Sequence, residues 1–219
     1  MNADPISRWY RWIEYAAFGR ALERARWAFV DQLAASRRIL IFGEGDGRTL
    51  ARVLAVAPDA RVDVVELSGA MIALARRRAG VSANRVRFHQ INALTDGWPA
   101  GDYDGIVTHF FLDCFREEEV RQLIRGIGER MTAGAIWLVT DFAIPTRGWR
   151  QRYASILVEI MYRFFRATTG LKAGSLPDIG KLLSREGMER SRCIETRGGL
   201  IRAEIWEQTN SSEVSEVEV

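Results

Sequence analysis

Between residues 37 and 142, strand-like apolar runs and helical stretches alternate at crossover length, and the succession repeats four times. "RRILIFG" leads into a helix from Arg48 to about Val56, closed by Pro58. "ARVDVVEL" at 60–67 leads into "SGAMIALARRRAG", which Ser68 caps and Gly80 stops. "RVRFHQ", "YDGIVTHFF" and "GAIWLVTDF" continue the strands, with a loop holding Gly97 and Pro99 after the first and the amphipathic "REEEVRQLIRGIGERM" between the other two. Strands joined by crossovers run parallel, whereas a tight turn would make them antiparallel. The pattern predicts an α/β chain: a doubly wound, mostly parallel sheet with helices on both faces.

The flanks depart from this rhythm. Residues 7 to 34 carry Trp9, Ile13, Ala16, Leu22, Ala25, Phe29 and Leu33 at helical spacing, which predicts two helices or one bent near Gly19. After Pro145 a stripe of Trp149, Tyr153, Ile156, Leu157, Ile160, Met161, Phe164 and Phe165 predicts an inserted helix, and a second helix is expected from Asp178 to Arg185. "MERSRCIETRGGLIRAEIWEQ" reads as two extended segments around Gly198 and Gly199, an antiparallel hairpin that finishes the sheet.

Composition narrows the class. A chain of 219 residues, 47% hydrophobic and 27% charged, suits one sizeable domain, and no apolar run approaches the ~20 residues that span a bilayer. The N-terminal residues are crossed by charges every few positions and lack a secretory apolar region, so the chain is expected to be cytoplasmic. Cys114 and Cys193 stand far apart without metal-ligand spacing, which argues against a disulfide framework or a metal site; each is expected to be a small buried residue. Residues 147–202 hold 12 Lys and Arg against 5 Asp and Glu, while "NSSEVSEVEV" reads as a disordered acidic tail over 209–219.

The first strand ends in "GEGDG", where ligands of doubly wound sheets are usually held. Glycines at 43, 45 and 47 allow positive φ and close backbone approach. A dinucleotide fingerprint needs a further glycine where this chain has Arg48, counting from Gly43, or Leu50, counting from Gly45; a Walker A sequence is absent too.

Instead, G-x-G-x-G followed by Glu66 at the end of the second strand, 19 residues after Gly47, resembles class I S-adenosylmethionine (SAM) dependent methyltransferases from about residue 36 onward. "VVELSGAMIALARRR" is most similar to the small-molecule group around the quinone C-methyltransferases. The resemblance implies a Rossmann-like seven-stranded sheet in one domain over 1–208: an N-terminal helical cap over 1–36, a cofactor-binding half over 37–141, a helical lid over 142–187 and the hairpin over 188–208. It implies S-adenosyl-L-methionine as cofactor and S-adenosyl-L-homocysteine as product. Gly43, Glu44, Gly45, Asp46, Gly47, Glu66, Leu67, Met71, Asn92, Ala93 and Thr108 would line the cofactor, with Glu66 accepting from the ribose hydroxyls and the Asn92 amide oxygen from the adenine amino group. Two departures stand out. The family's usual acid two places before the first glycine is Ile41 here, so Glu44 or Asp46 would supply that charge; and Asn92 replaces an aspartate.

Methyl transfer from a sulfonium is an in-line displacement that depends chiefly on positioning, and no metal is required. His109, at the end of the fourth strand, is the candidate base, with Asp113 the second catalytic candidate. His89 belongs to the interior of the third strand. An acceptor pocket would draw on Trp9, Tyr10, Trp12, Tyr15, Phe110, Phe111, Asp141 and Tyr153, which favours a small apolar or aromatic acceptor, although aromatics at helical spacing are more often core. The function expected is a SAM-dependent methyltransferase acting on such a molecule as a monomer or homodimer. The alternatives left open are an RNA or protein methyltransferase and a binding protein without catalysis. Nucleic-acid chemistry is disfavoured, since "THFF" stands where adenine methyltransferases carry a Pro-Pro motif and Cys114 follows Asp113 rather than proline. Arginines 147, 150, 152, 163 and 166 beside the inserted stripe admit a weak membrane-surface contact.

Overall fold

The computed structural model describes residues 20–143 and 176–209. The first described helix, α1 (Ala21–Trp27), is followed by a 3-10 turn over Val30–Ala35. Then come β1 (Arg38–Phe42), α2 (Arg48–Val56), β2 (Arg61–Glu66), α3 (Gly69–Ala79), β3 (Val86–Gln90), β4 (Tyr103–His109), α4 (Glu117–Gly128) and β5 (Met131–Phe142). Past the undescribed interval lie α5 (Ile179–Arg185), β6 (Met188–Thr196) and β7 (Ile201–Gln208). The local signals act as expected: Ser68 accepts the Met71 N–H at 3.1 Å to cap α3, and the Asp178 side chain accepts from the Lys181 N–H to cap α5.

Seven strands form one sheet in the order β3-β2-β1-β4-β5-β7-β6. The first five pair in parallel, β5 pairs antiparallel with β7, and β7 with β6. Alternation along β1 divides the core. Leu40 and Phe42 pack with Val120, Leu123 and Ile124 of α4 and Leu183 of α5. Ile39 and Ile41 pack with Leu50 and Val53 of α2 and Ala75 of α3. Burying each such side chain contributes roughly 1.5–3 kcal/mol. Strand order reverses at β1, which has β2 on one side and β4 on the other, so a crevice opens beyond their carboxyl ends.

Several expectations change. Helix α1 stops at Trp27, and the chain tightens so that Phe29, Val30 and Leu33 reach the β1–α2 face. Strand β4 ends at His109, not Phe111, because Phe110 takes φ +52 and turns the chain, its N–H donating to the Thr140 carbonyl at 2.6 Å. Cys193, expected buried, is exposed on β6, and Cys114 is only part-buried. The aromatic stripe after Pro145, Trp9, Tyr10, Trp12, Tyr15, Tyr153 and the acidic tail lie outside the described residues. Among the described residues no helix is long and apolar enough to cross a membrane, and no group of His, Cys, Asp and Glu could hold a metal ion.

Candidate functional site

The turn after β1 places its three glycines in different surroundings. Gly43 continues the sheet, its N–H donating to the Val65 carbonyl at 2.9 Å, and a Cβ there would come 2.5 Å from Phe111 Cδ2. At Gly45 (φ +66) a Cβ would meet nothing within 4 Å: the backbone borders open space. Gly47 (φ +90) starts α2, and a Cβ there would lie 2.5 Å from the Ala75 Cα. Gly47 therefore serves the close approach of α2 to α3 and is not among the cavity's lining residues.

Three carboxyls surround this turn. Glu44 reaches forward to the start of α2, where Oε1 accepts the Leu50 N–H at 2.9 Å, while Oε2 is buried without a hydrogen-bond partner among the described residues. The residue as a whole is part-buried, but its carboxyl is enclosed, and burial above all pushes its pKa up to about 8; the Leu50 N–H and the Arg26 charge oppose this, Asp46 and Glu66 reinforce it. Asp46 is paired twice, with Arg48 at 3.0 Å and Arg78 of α3 at 2.9 Å. Burial alone would raise it, but Arg48 and then Arg78 outweigh that and hold it below its ordinary value. Glu66, at the end of β2, accepts the Ser68 N–H at 2.9 Å and the Gly45 N–H at 3.1 Å, tying the glycine turn to the neighbouring strand.

These groups open into a cavity of about 210 Å³ at the carboxyl ends of β1, β2 and β4. Leu67 and Met71 line one side, with Asn92 and Ala93 after β3. The Asn92 Oδ1 accepts the Leu94 N–H at 3.0 Å, so it shapes its own loop while lining the cavity. His109, Phe110 and Phe111 form the far wall. His109 is buried, with Nδ1 3.5 Å from Thr49 Oγ1; burial, then the Arg26 charge, push its pKa down to about 3, so its imidazole is neutral. Phe111 stacks on Phe42 and meets Phe115 edge-on, with centroids 5.6 and 4.9 Å apart.

Three other expected residues stand elsewhere. Thr108 points to the opposite face, fully buried, and accepts the Trp137 indole N–H at 2.9 Å. Asp113 is buried in the short turn Leu112–Cys114 and is absent from the cavity lining. Asp141 accepts the Phe111 N–H at 3.0 Å and lines a neighbouring cavity of about 160 Å³. Burial raises both pKa values, and the two carboxyls interact. This pair braces the Phe110–Phe111 turn from behind.

Arg26 is the principal lining residue that sequence reasoning missed. It is buried on α1, and its guanidinium carbon lies 4.8 Å from the Phe110 ring centroid. A helical arginine next to Ala25 reads as solvated; only the docking of α1 against Phe142, Leu200 and Ile201 turns it inward. Thr49, Cys114, Phe115 and Glu119 also reach the cavity.

The arrangement has known counterparts. Residues 39–134 match the methyltransferase domain family. Mitomycin 7-O-methyltransferase MmcR shares the fold with a TM-score of 0.67 and 16% identity, covering 95% of this chain and 61% of its own. The chain therefore shares its fold with the methyltransferases. Human N-acetylserotonin methyltransferase, solved in complex with SAM, superposes with a TM-score of 0.60 and 13% identity over 85% of this chain and 52% of its own. Among curated proteins, the demethylmenaquinone methyltransferase of Thermus thermophilus is 29% identical over 117 residues, 52% of this chain and 51% of the relative. The chain thus spans about half the length of the curated relative it matches.

Proposed function

We propose that this chain is a SAM-dependent methyltransferase acting on a small apolar or aromatic molecule. The observation that carries the reading is the cavity at the strand-order reversal, lined by Glu66, the open Gly45 backbone and Glu44, whose buried Oε2 has no hydrogen-bond partner among the described residues. These features suit SAM. Gly45 leaves room for close approach, the Glu66 carboxylate is an acceptor of the kind that ribose hydroxyls need, and Glu44 offers an acid to the ammonium group. Asn92 and Ala93 would border the adenine, with Leu67 and Met71 beside it.

The cofactor supplies an electrophilic methyl group on a sulfonium; the chain's part is to hold the acceptor in line with it and keep water away. Phe110, Phe111 and Phe115 give that wall its apolar character, and Arg26 adds one cation beside it. His109 contributes a neutral imidazole that hydrogen-bonds the acceptor. With its pKa held this low it is too weak a base to carry a proton away from a phenol near neutral pH. Asp113 and Asp141 act on the site through the Phe110–Phe111 turn.

Calorimetric titration with SAM tests the reading, and no binding at high micromolar cofactor would overturn it. Glu66→Ala should weaken cofactor affinity by about 1–3 kcal/mol, the range for a hydrogen bond involving a charged group. Unchanged affinity would remove Glu66 from the ribose position.

A further inference from the structure

The fold disposes of the three carboxyls around the glycine turn in different ways. Asp46 has an arginine on each oxygen, and Glu66 has a backbone N–H on each. Glu119, which also lines the cavity, accepts the Arg116 N–H at the start of α4. Glu44 alone among these leaves an oxygen enclosed and without a partner among the described residues. Ile41, where the resemblance would place an acid, packs with Leu50, Val53 and Val64 and reaches the cavity as an apolar side chain, so it brings no charge to the site.

We propose that Glu44 meets the ammonium group at the amino-acid end of the cofactor and loses its proton to solvent as that group arrives, so that cofactor binding and proton release are one event. The proposal rests on the methyltransferase reading above and adds to it a specific residue and a linkage.

The physical basis is the unbalanced environment of the carboxyl. An ionised Glu44 in the ligand-free protein would have one N–H donor, from Leu50, and a buried oxygen with no donor among the described residues. Such a charge costs several kcal/mol, so the carboxyl keeps its proton. The charged groups around it do not reverse this. Asp46 from the turn and Glu66 from β2 disfavour ionisation, and Arg26 from α1 favours it, but burial outweighs all three. An ammonium brought against the carboxyl supplies both the missing donors and an opposite charge, and a contact of that kind lowers a carboxyl pKa by roughly 1–3 units. The incoming ammonium stays protonated, so the proton that leaves comes from Glu44 and passes to the buffer.

The test is calorimetry of S-adenosylhomocysteine binding to the full chain at about pH 7, repeated in phosphate and in Tris, whose ionisation heats differ. The dependence of the observed heat on the buffer counts the protons released. Wild type should release a large fraction of one proton, and its affinity should increase as pH rises toward 8, by up to about tenfold per pH unit, and level off above that. Glu44→Gln should bind with no release and a flat pH dependence, while Asp46→Asn should retain the release. Methylthioadenosine, which lacks the amino-acid end, should bind wild type without releasing a proton; this arm needs no variant to fold. Equal heats in both buffers for wild type, or the same release from Glu44→Gln or with methylthioadenosine, would overturn the proposal while leaving the methyltransferase reading intact. No binding of S-adenosylhomocysteine at all would overturn both.

Discussion

Alanine at Gly45 and at Gly47 should separate two roles that look identical in "GEGDG". Both residues hold positive φ, +66° and +90°, so either substitution incurs the left-handed penalty of about 1–2 kcal/mol. At Gly45 nothing else is added, since the new Cβ meets no atom within 4 Å. At Gly47 the new Cβ would stand 2.5 Å from the Ala75 Cα, 3.0 Å from its Cβ and 3.3 Å from its carbonyl oxygen. Backbone cannot swing aside as a side-chain tip can, so α3 must shift away from α2, and overpacking of this kind adds about 1–3 kcal/mol. Gly47→Ala should therefore lose roughly 2–5 kcal/mol in urea unfolding, a large share of the 5–15 kcal/mol typical of a domain, against about 1–2 for Gly45→Ala. S-adenosylhomocysteine binding should show the reverse order among folded variants, because the Gly45 methyl would occupy the space beside the cavity. Equal destabilisation, or a larger loss at Gly45, would refute the assignment of Gly47 to helix packing.

Three further outcomes are expected. Thr108→Val should cost about 1–3 kcal/mol by leaving the buried Trp137 N–H without its acceptor, yet leave S-adenosylhomocysteine affinity unchanged; weakened binding would return Thr108 to the cofactor site. The His109 imidazole should show no titration by NMR between about pH 5 and 8 in the ligand-free protein, and a midpoint in that range would restore it as a base. Glu44 binds its proton more tightly when folded, with its pKa at about 8 against an ordinary 4.5, so its contribution to stability is complete below pH 4.5 and is lost as pH rises toward 8. Relative to wild type, ligand-free Glu44→Gln should gain stability over that interval by up to about 5 kcal/mol in denaturant unfolding; parallel pH curves would show that the carboxyl is ionised throughout.

Much of the fold was legible because its signals are local. Helix α2 begins at Arg48 and ends at Val56 as Pro58 and the glycine turn require, and the Ser68 cap and the hairpin after Met188 follow from short-range chemistry. Strand alternation also held a clue that the expectation for Thr108 and His109 did not use. Neighbouring residues of a strand face opposite ways, so only one of them can meet the cavity. Strand β4 turns His109 to it and gives Thr108 to Trp137. Phe110 broke the expected strand because its left-handed turn depends on contacts with Thr140 and Asp141, some 30 residues away.

Periodicity, caps and the glycine spacing were enough to specify a doubly wound sheet and to locate the glycine turn that borders its cavity, since each acts within one or two turns of chain. The roles of the acids in that turn could not be read there. Glu44 and Asp46 are two residues apart and chemically alike, yet Arg78 of α3 completes the pairing of Asp46, while burial against α2 leaves a Glu44 oxygen without a partner among the described residues. Arg26 likewise acquires its place only when α1 docks on the hairpin end of the sheet. A carboxyl's charge depends on its solvent and its neighbours in space, and those neighbours meet only when the chain closes on itself.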